Sequence, residues 1–329
     1  MRQQSRKSLN VCAAIGDDFL TTLELALKIV ILIALGAAAR RLKVMPDGFD
    51  KMLTRFVMAI PLPCMIINSF NVEFSAKYLE SCPIILVLAL ASLALVFVLA
   101  QLVYIRMGKT GIARVVRFAM MFTNFTFFGL PVVNELYGAR GSFYYVIFTL
   151  PIRIVFYGCA PIMLGEAGTK LNVRETLKKF LCEPVVAVFI GFFLYVTQLK
   201  LPGVVTNVLS TLGGMASPLG LMLCGCIIAD ADWRGVLRFP CVIWVSVLRL
   251  VVIPAVIVGV FLLLRVDREI IRSVVFCFAM PVASLLPAFS LRYNPSDTDA
   301  RLVGSYTVVL STVLCVATVP LWAYITELI

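Results

Sequence analysis

Two apolar stretches of the chain combine helix-breaking prolines with small and polar side chains, the residue types able to hold a solute within a membrane. The first runs Phe118 to Tyr137, FAMMFTNFTFFGLPVVNELY. The second, about 156 residues later, runs Val274 to Tyr293, VVFCFAMPVASLLPAFSLRY. At that offset Pro131 falls on Pro287 and Tyr137 on Tyr293. Each proline removes an intrahelical hydrogen bond and clashes with the preceding turn. Pro281, with Ala283 and Ser284 behind it, marks a second break in the later stretch. Unwound backbone in hydrocarbon survives only where protein, water or a solute satisfies its N–H and C=O groups. Thr123, Asn124, Thr126 and Gly129 place donors, acceptors and a backbone without Cβ beside the first break. The N-terminus of a half-helix carries partial positive charge and free N–H groups, which suits a carboxylate. Matched interrupted segments in the two halves of a membrane chain are the sequence mark of a secondary transporter's binding site.

Ionisable residues at membrane depth form the second group of candidates. Arg153 stands between Ile152 and Ile154, and Arg249 between Leu248 and Leu250, five residues before Pro254. Arginine grips a carboxylate bidentately, so both are candidates to offset the charge of an anionic solute; pairing with backbone carbonyls is the alternative. Glu24 and Lys28 are spaced i, i+4 and can pair on one helix face. They are either a structural ion pair or candidates for coupling transport to a second ion.

The elements that must position these residues are membrane helices. Of 329 residues, 61% are hydrophobic and 14% charged, with a mean hydropathy of +1.00. A soluble domain carries about 25% charged residues, so this composition specifies an integral membrane protein. The net charge of +11 is accounted for by Lys and Arg in short loops, where they set orientation. No basic patch interleaved with exposed aromatics is present to suggest nucleic acid as a partner. Histidine is absent and the ten cysteines contain no Cys-x-x-Cys pair, so the sequence offers no metal site and no cofactor. No Ser/His or paired-aspartate set lies in the apolar spans, which argues against an enzyme.

Spans of about 20 apolar residues are expected at 20–39, 51–70, 83–105, 115–136, 143–163, 184–197, 207–228, 240–264, 273–291 and 305–326. The resulting division is an N-terminal tail over 1–18 without a cleavable-signal pattern, a five-span unit over 19–163, a linker over 164–183 and a second five-span unit over 184–329. A mixed-charge helix is expected in the linker at 172–180. Lys and Arg concentrate in the loops after spans one, three and five, which places those loops and the linker in the cytoplasm and both termini outside. The odd number of spans per unit inverts one unit relative to the other. Gly141-Ser142-Phe143-Tyr144-Tyr145-Val146 is echoed by Gly304-Ser305-Tyr306-Thr307-Val308-Val309, in keeping with a repeat. Pro61, Pro63 and Asn68 in the second span, and Gly213, Gly214, Ser217, Pro218 and Gly220 in the seventh, read as a packing scaffold, since small residues let helices approach closely.

The segment Thr123-Asn124-Phe125-Thr126-Phe127-Phe128-Gly129-Leu130-Pro131, followed by Tyr137-Gly138, resembles the fourth-span signature of the auxin efflux carrier family, which includes bacterial malonate permease-like transporters. Pro281 to Tyr293, then Leu310-Ser311-Thr312 and Pro320, is similar to the family's ninth and tenth spans, and Pro61-Leu62-Pro63 with Ser69-Phe70 to its second. The resemblance extends from about Leu20 to the end. It implies an all-α fold of ten transmembrane helices in two inverted five-helix repeats, with broken fourth and ninth helices that cross. It places Asn124 and Pro131 on one crossing element and Pro281 and Pro287 on the other, around the solute. It further implies transport of a small organic anion, malonate-like or auxin-like, by an elevator-type motion in the cell inner membrane. Phe125, Phe127 and Phe128 replace the small residues usual after the asparagine, which implies a narrower, more aromatic pocket. Proton or sodium coupling and a homodimer are left open, and a cation carrier of related fold or a sensor without net transport are the alternatives.

Overall fold

The computed structural model describes residue 24 and residues 27–46, 48–71, 76–165, 183–230 and 233–329. The expected tail (1–18) and linker helix (172–180) lie outside the described residues. Within them the chain is helical, and the only strand-type pairing is an isolated antiparallel bridge between Thr123 and Val282.

The first half comprises α1 (27–41), α2 (Phe49–Ala59), α3 (Pro61–Ser69), α4 (Ala76–Arg106), α5 (Gly111–Met121), a π-helix π1 (Phe125–Gly129) and α6 (Leu130–Leu164). The second half comprises α7 (Glu183–Thr197), α8 (Gly203–Gly214), α9 (Ala216–Ala229), α10 (Trp233–Arg238), α11 (Pro240–Val247), a second π-helix π2 (Leu248–Val252) and α12 (Ile253–Leu263). It closes with α13 (Arg268–Val274), α14 (Phe276–Ala279), α15 (Leu286–Tyr293) and α16 (Thr298–Leu328).

Among the described residues, six helical stretches are long and apolar enough to cross a membrane: Phe49–Ser69, Leu79–Arg106, Phe125–Ala160, Gly203–Ala229, Pro240–Leu263 and Thr298–Leu328. The difference from the ten expected spans has identifiable causes. The stretches expected at 115–136 and 273–291 are not continuous helices, and α7 is an apolar helix of 15 residues. The first span is described only in part.

Helix ends follow local chemistry. Thr110 caps α5 by accepting from the Ala113 N–H at 3.1 Å, and Asp267 caps α13 by accepting from Glu269. Asp297 starts α16 in the same way, accepting from Ala300 at 2.9 Å. Gly138, at φ 61°, interrupts α6, so its first piece, Leu130 to Tyr137, occupies the same place relative to Pro131 as α15 does relative to Pro287.

Close helix contacts are made at small residues. A Cβ on Gly36 of α1 would overlap the backbone of Met222 in α9, and one on Gly225 would overlap the backbone around Ile33 and Ala37. A Cβ on Gly213 of α8 would lie 2.9 Å from the Met65 backbone in α3. The second and seventh spans thus pack on each other. An aromatic cluster fills the interior behind the broken helices: Phe118 on Phe122 with centroids 4.7 Å apart, Phe122 on Phe156 at 5.2 Å, and Phe156 on Phe289 at 5.4 Å.

Candidate functional site

The breaks do not fall on the matched prolines. The helical run of α5 ends at Met121, and Phe122 is extended (φ −119°, ψ 130°). Asn124 then opens π1, its Oδ1 accepting from the Phe127 N–H at 3.2 Å and its backbone carbonyl accepting from Phe128 and Gly129 at 3.1 and 3.0 Å. Pro131 follows π1, one residue after the Leu130 N–H that donates to Phe125 O, so the wider π turn precedes the position where proline cannot donate. In the later stretch α14 ends at Ala279, Met280 is extended (φ −86°, ψ 157°), and helix resumes at Leu286. Pro281 therefore lies within the main break rather than opening a second one, and Pro287 occupies the first turn of α15.

The two unwound segments satisfy one another. Asn124 N–H donates to Pro281 O at 2.8 Å, and Ala283 N–H donates to Phe122 O at 3.1 Å. Side chains close the remaining groups: Thr123 Oγ1 donates to Cys277 O at 2.7 Å, and Ser311 Oγ of α16 accepts from the Val282 N–H at 3.1 Å. Tyr145 OH donates to Phe125 O at 3.0 Å. Gly129 is what admits that tyrosine, because a Cβ there would overlap its hydroxyl and lie 3.0 Å from its Cζ.

A small, half-open cleft lies where the segments cross, lined by Met58, Thr123, Asn124, Phe125, Thr126, Phe127, Phe156, Ala283, Ser284 and Leu285. Its polar side chains are those of Thr123, Asn124, Thr126 and Ser284, and none of its lining residues is charged. The first N–H groups of a helix have no intrahelical acceptor, and those of Phe125 and Thr126, at the start of the run through π1 into α6, belong to residues on the cleft wall. At α15 the Leu286 N–H donates to Ala283 O and Pro287 has none, so that helix turns its N-terminal end to the cleft through Ser284 and Leu285 just before it. Two half-helices thus present their electropositive ends to one space.

Of the expected site residues, the structure brings Thr123, Asn124, Thr126 and Ser284 to the cleft. Gly129, Pro131, Pro281 and Pro287 shape the crossing without lining it. Arg249 does not line it either: it is fully buried on π2, with Nη1 donating to Met120 O at 3.1 Å and Nη2 to Cys277 O at 3.5 Å. The carbonyl-pairing alternative describes its place. Arg153 is buried with its guanidinium 5.1 Å from the Phe125 ring centroid, behind the lining.

Lys28 forms an ion pair with Glu135 in α6, a partner across the fold that its spacing from Glu24 did not anticipate. Glu24 itself is exposed. Glu135 lies inside α6. Phe156, Met58 and Leu285 were not foreseen as lining residues, nor Tyr145 as a support. For Tyr145 the signal was its place in the repeated Gly-Ser-aromatic run. Among the described residues no three His, Cys, Asp or Glu side chains assemble as a metal site.

Helices long and apolar enough to span a bilayer, with a cleft formed between two broken ones, define a membrane transporter. The family model described as Membrane transport protein matches residues 21–323, and the chain belongs to that family, the auxin efflux carriers. No curated protein matches the chain.

Proposed function

We propose that this transporter carries a small organic anion, a mono- or dicarboxylate, in the cleft between the two unwound segments. The observation that carries the reading is the convergence of two half-helix N-termini on one space whose lining holds no charged side chain. Backbone N–H groups and the positive end of the helix dipole favour a carboxylate there. Thr123, Asn124, Thr126 and Ser284 supply the polar contacts, and Phe125, Phe127, Phe156, Met58 and Leu285 enclose an apolar body. The absence of an acidic lining residue counts against a cation as cargo. Arg153 acts from behind the lining by its positive charge rather than as a direct ligand, and Arg249 is held by backbone carbonyls away from the cleft.

The ten-helix arrangement of two inverted five-helix repeats belongs to the same proposal. It is supported by the equal spacing of Leu130–Tyr137 and Leu286–Tyr293 and by the antiparallel pairing between the unwound segments. So does an elevator-type motion, in which the crossing elements move against a scaffold formed by the packed second and seventh spans. Placement in the cell inner membrane belongs to the same proposal, and the distribution of Lys and Arg supports both termini outside.

The test is uptake by proteoliposomes of a labelled panel of short mono- and dicarboxylates, with and without imposed proton, sodium and voltage gradients. Saturable uptake of a carboxylate, lost in Asn124→Ala while the protein stays monodisperse, is the expected result. The gradient that accelerates it names the driving force. Full activity in Asn124→Ala, or uptake of cations alone, would overturn the assignment.

A further inference from the structure

Resting on the assignment of the cleft as the binding site, we propose that Arg249 is the positioning residue of the crossing. It fixes the spacing of the two half-helices whose continuations form the cleft, and it does so without touching the cargo.

Helices α5 and α14 run into the protein interior and end there, at Met121 and Ala279. The last carbonyls of a helix lack intrahelical donors and carry the negative end of its dipole. In the interior each needs a donor from elsewhere in the fold, and at Cys277 O the Thr123 hydroxyl supplies one at 2.7 Å beside the longer contact from Arg249. Arg249 reaches one from each helix, Met120 O through Nη1 and Cys277 O through Nη2. A guanidinium is a planar fork with fixed donor directions, so a single rigid group spans both ends. No carboxylate pairs with it among the described residues. The two helix ends provide the negative potential, and the Phe278 ring, 5.6 Å away, provides a face for the cation.

The clamp stands immediately upstream of the backbone bridge. Met120 precedes by two residues Phe122, whose carbonyl accepts from Ala283. Cys277 precedes by four residues Pro281, whose carbonyl accepts from Asn124. A change in the spacing of the helix ends therefore passes along a few residues to Asn124 and Ser284 on the cleft wall. The backbone around Arg249 is itself specialised. It lies in the π-helix π2, a geometry rare in proteins and frequent at functional sites. Trp322 Nε1 donates to Leu250 O at 2.7 Å, tying down the carbonyl of the next residue.

Lysine keeps the charge but is a point donor on a flexible stem and cannot span two carbonyls as a fork; glutamine removes the charge and leaves a short amide. Hydrogen exchange of Arg249→Lys and Arg249→Gln in micelles, read by mass spectrometry without substrate, and uptake kinetics of the same proteins together form the test. Loss of a charge-assisted bond at one helix end should accelerate exchange in peptides covering 120–124 and 277–283 by about ten-fold or more, with distant helices unchanged. The KM of the transported carboxylate should rise by a similar factor in both variants, with Vmax held within about two-fold.

Unchanged exchange in these peptides overturns the proposal. So does a wild-type KM in Arg249→Lys beside a raised KM in Arg249→Gln, which would make charge rather than bridging the requirement. Should both variants unfold globally, Trp322→Phe, which releases Leu250 O and loosens π2, must give the same local acceleration; if it does not, the proposal fails. If the wild type takes up no carboxylate, the proposed cargo is wrong, while the exchange measurement still decides the clamp.

Discussion

The packing of Gly129 against Tyr145 makes a quantitative prediction. In Gly129→Ala the new methyl would occupy the position of the Tyr145 hydroxyl, 3.0 Å from its Cζ and 3.2 Å from Met280 Cγ. Tyr145 is fully buried and its hydroxyl is the donor to Phe125 O. The ring must therefore shift, and the carbonyl at the start of π1 loses that donor. Overpacking typically costs about 1–3 kcal/mol, and a buried acceptor left without its partner about 1–3 kcal/mol more. The expected total is about 2–6 kcal/mol. Tyr145→Phe alone incurs only the second part. In that background Gly129→Ala meets no hydroxyl, so its added cost should fall to about 1–2 kcal/mol. Chemical unfolding of the four proteins in micelles, analysed as a double-mutant cycle, measures the coupling. Additive costs would mean that Gly129 serves the crossing through something other than room for Tyr145, and the reasoning from this contact would be refuted.

Two more contacts can be probed in the same way. Ser311→Ala removes the acceptor of the Val282 N–H; it should destabilise the protein by about 1–3 kcal/mol and speed exchange of the Val282 amide, read by the same unfolding and exchange experiments. Gly225→Leu places a bulky side chain into the backbone of α1, and the protein should fail to accumulate as a monodisperse species on size exclusion.

The two broken helices were plain in the sequence, because a continuous membrane helix gains nothing from proline set beside small and polar residues in an apolar run. The breaks themselves were misplaced. Pro131 and Pro287 are signals of disruption, yet Pro287 occupies the first turn of α15, where proline fits, and Pro131 follows the π turn of a helix already begun at Phe125. The chain actually unwinds a few residues earlier, at Phe122–Asn124 and Met280–Leu285. Asn124 was legible as a residue of the break because an amide in that run needs a partner. Its link through the backbone to Pro281 was not, since any residue can make a backbone bond.

Arg249 was legible as an oddity, an arginine in an apolar span. Its partners are carbonyl groups, invisible in a list of side chains, and so the cation seemed available to a solute. Lys28 shows the same limit: the i, i+4 rule identifies a neighbour along the helix, while the fold supplied Glu135 from another. The stretches at 115–136 and 273–291, which hydrophobic counting reads as spans, are not continuous helices for a related reason: apolar composition does not report where the backbone unwinds.

The bridge between Thr123 and Val282 also bears on how such a protein can diversify. Its bonds run between main-chain groups of Phe122, Asn124, Pro281 and Ala283, and the amides and carbonyls they use are common to nearly every amino acid. Replacing a wall residue such as Phe127 or Leu285 alters the shape offered to cargo without cutting the join that holds the wall in place. Selection for a new cargo therefore acts on side chains that are mechanically dispensable, and the scaffold tolerates the search.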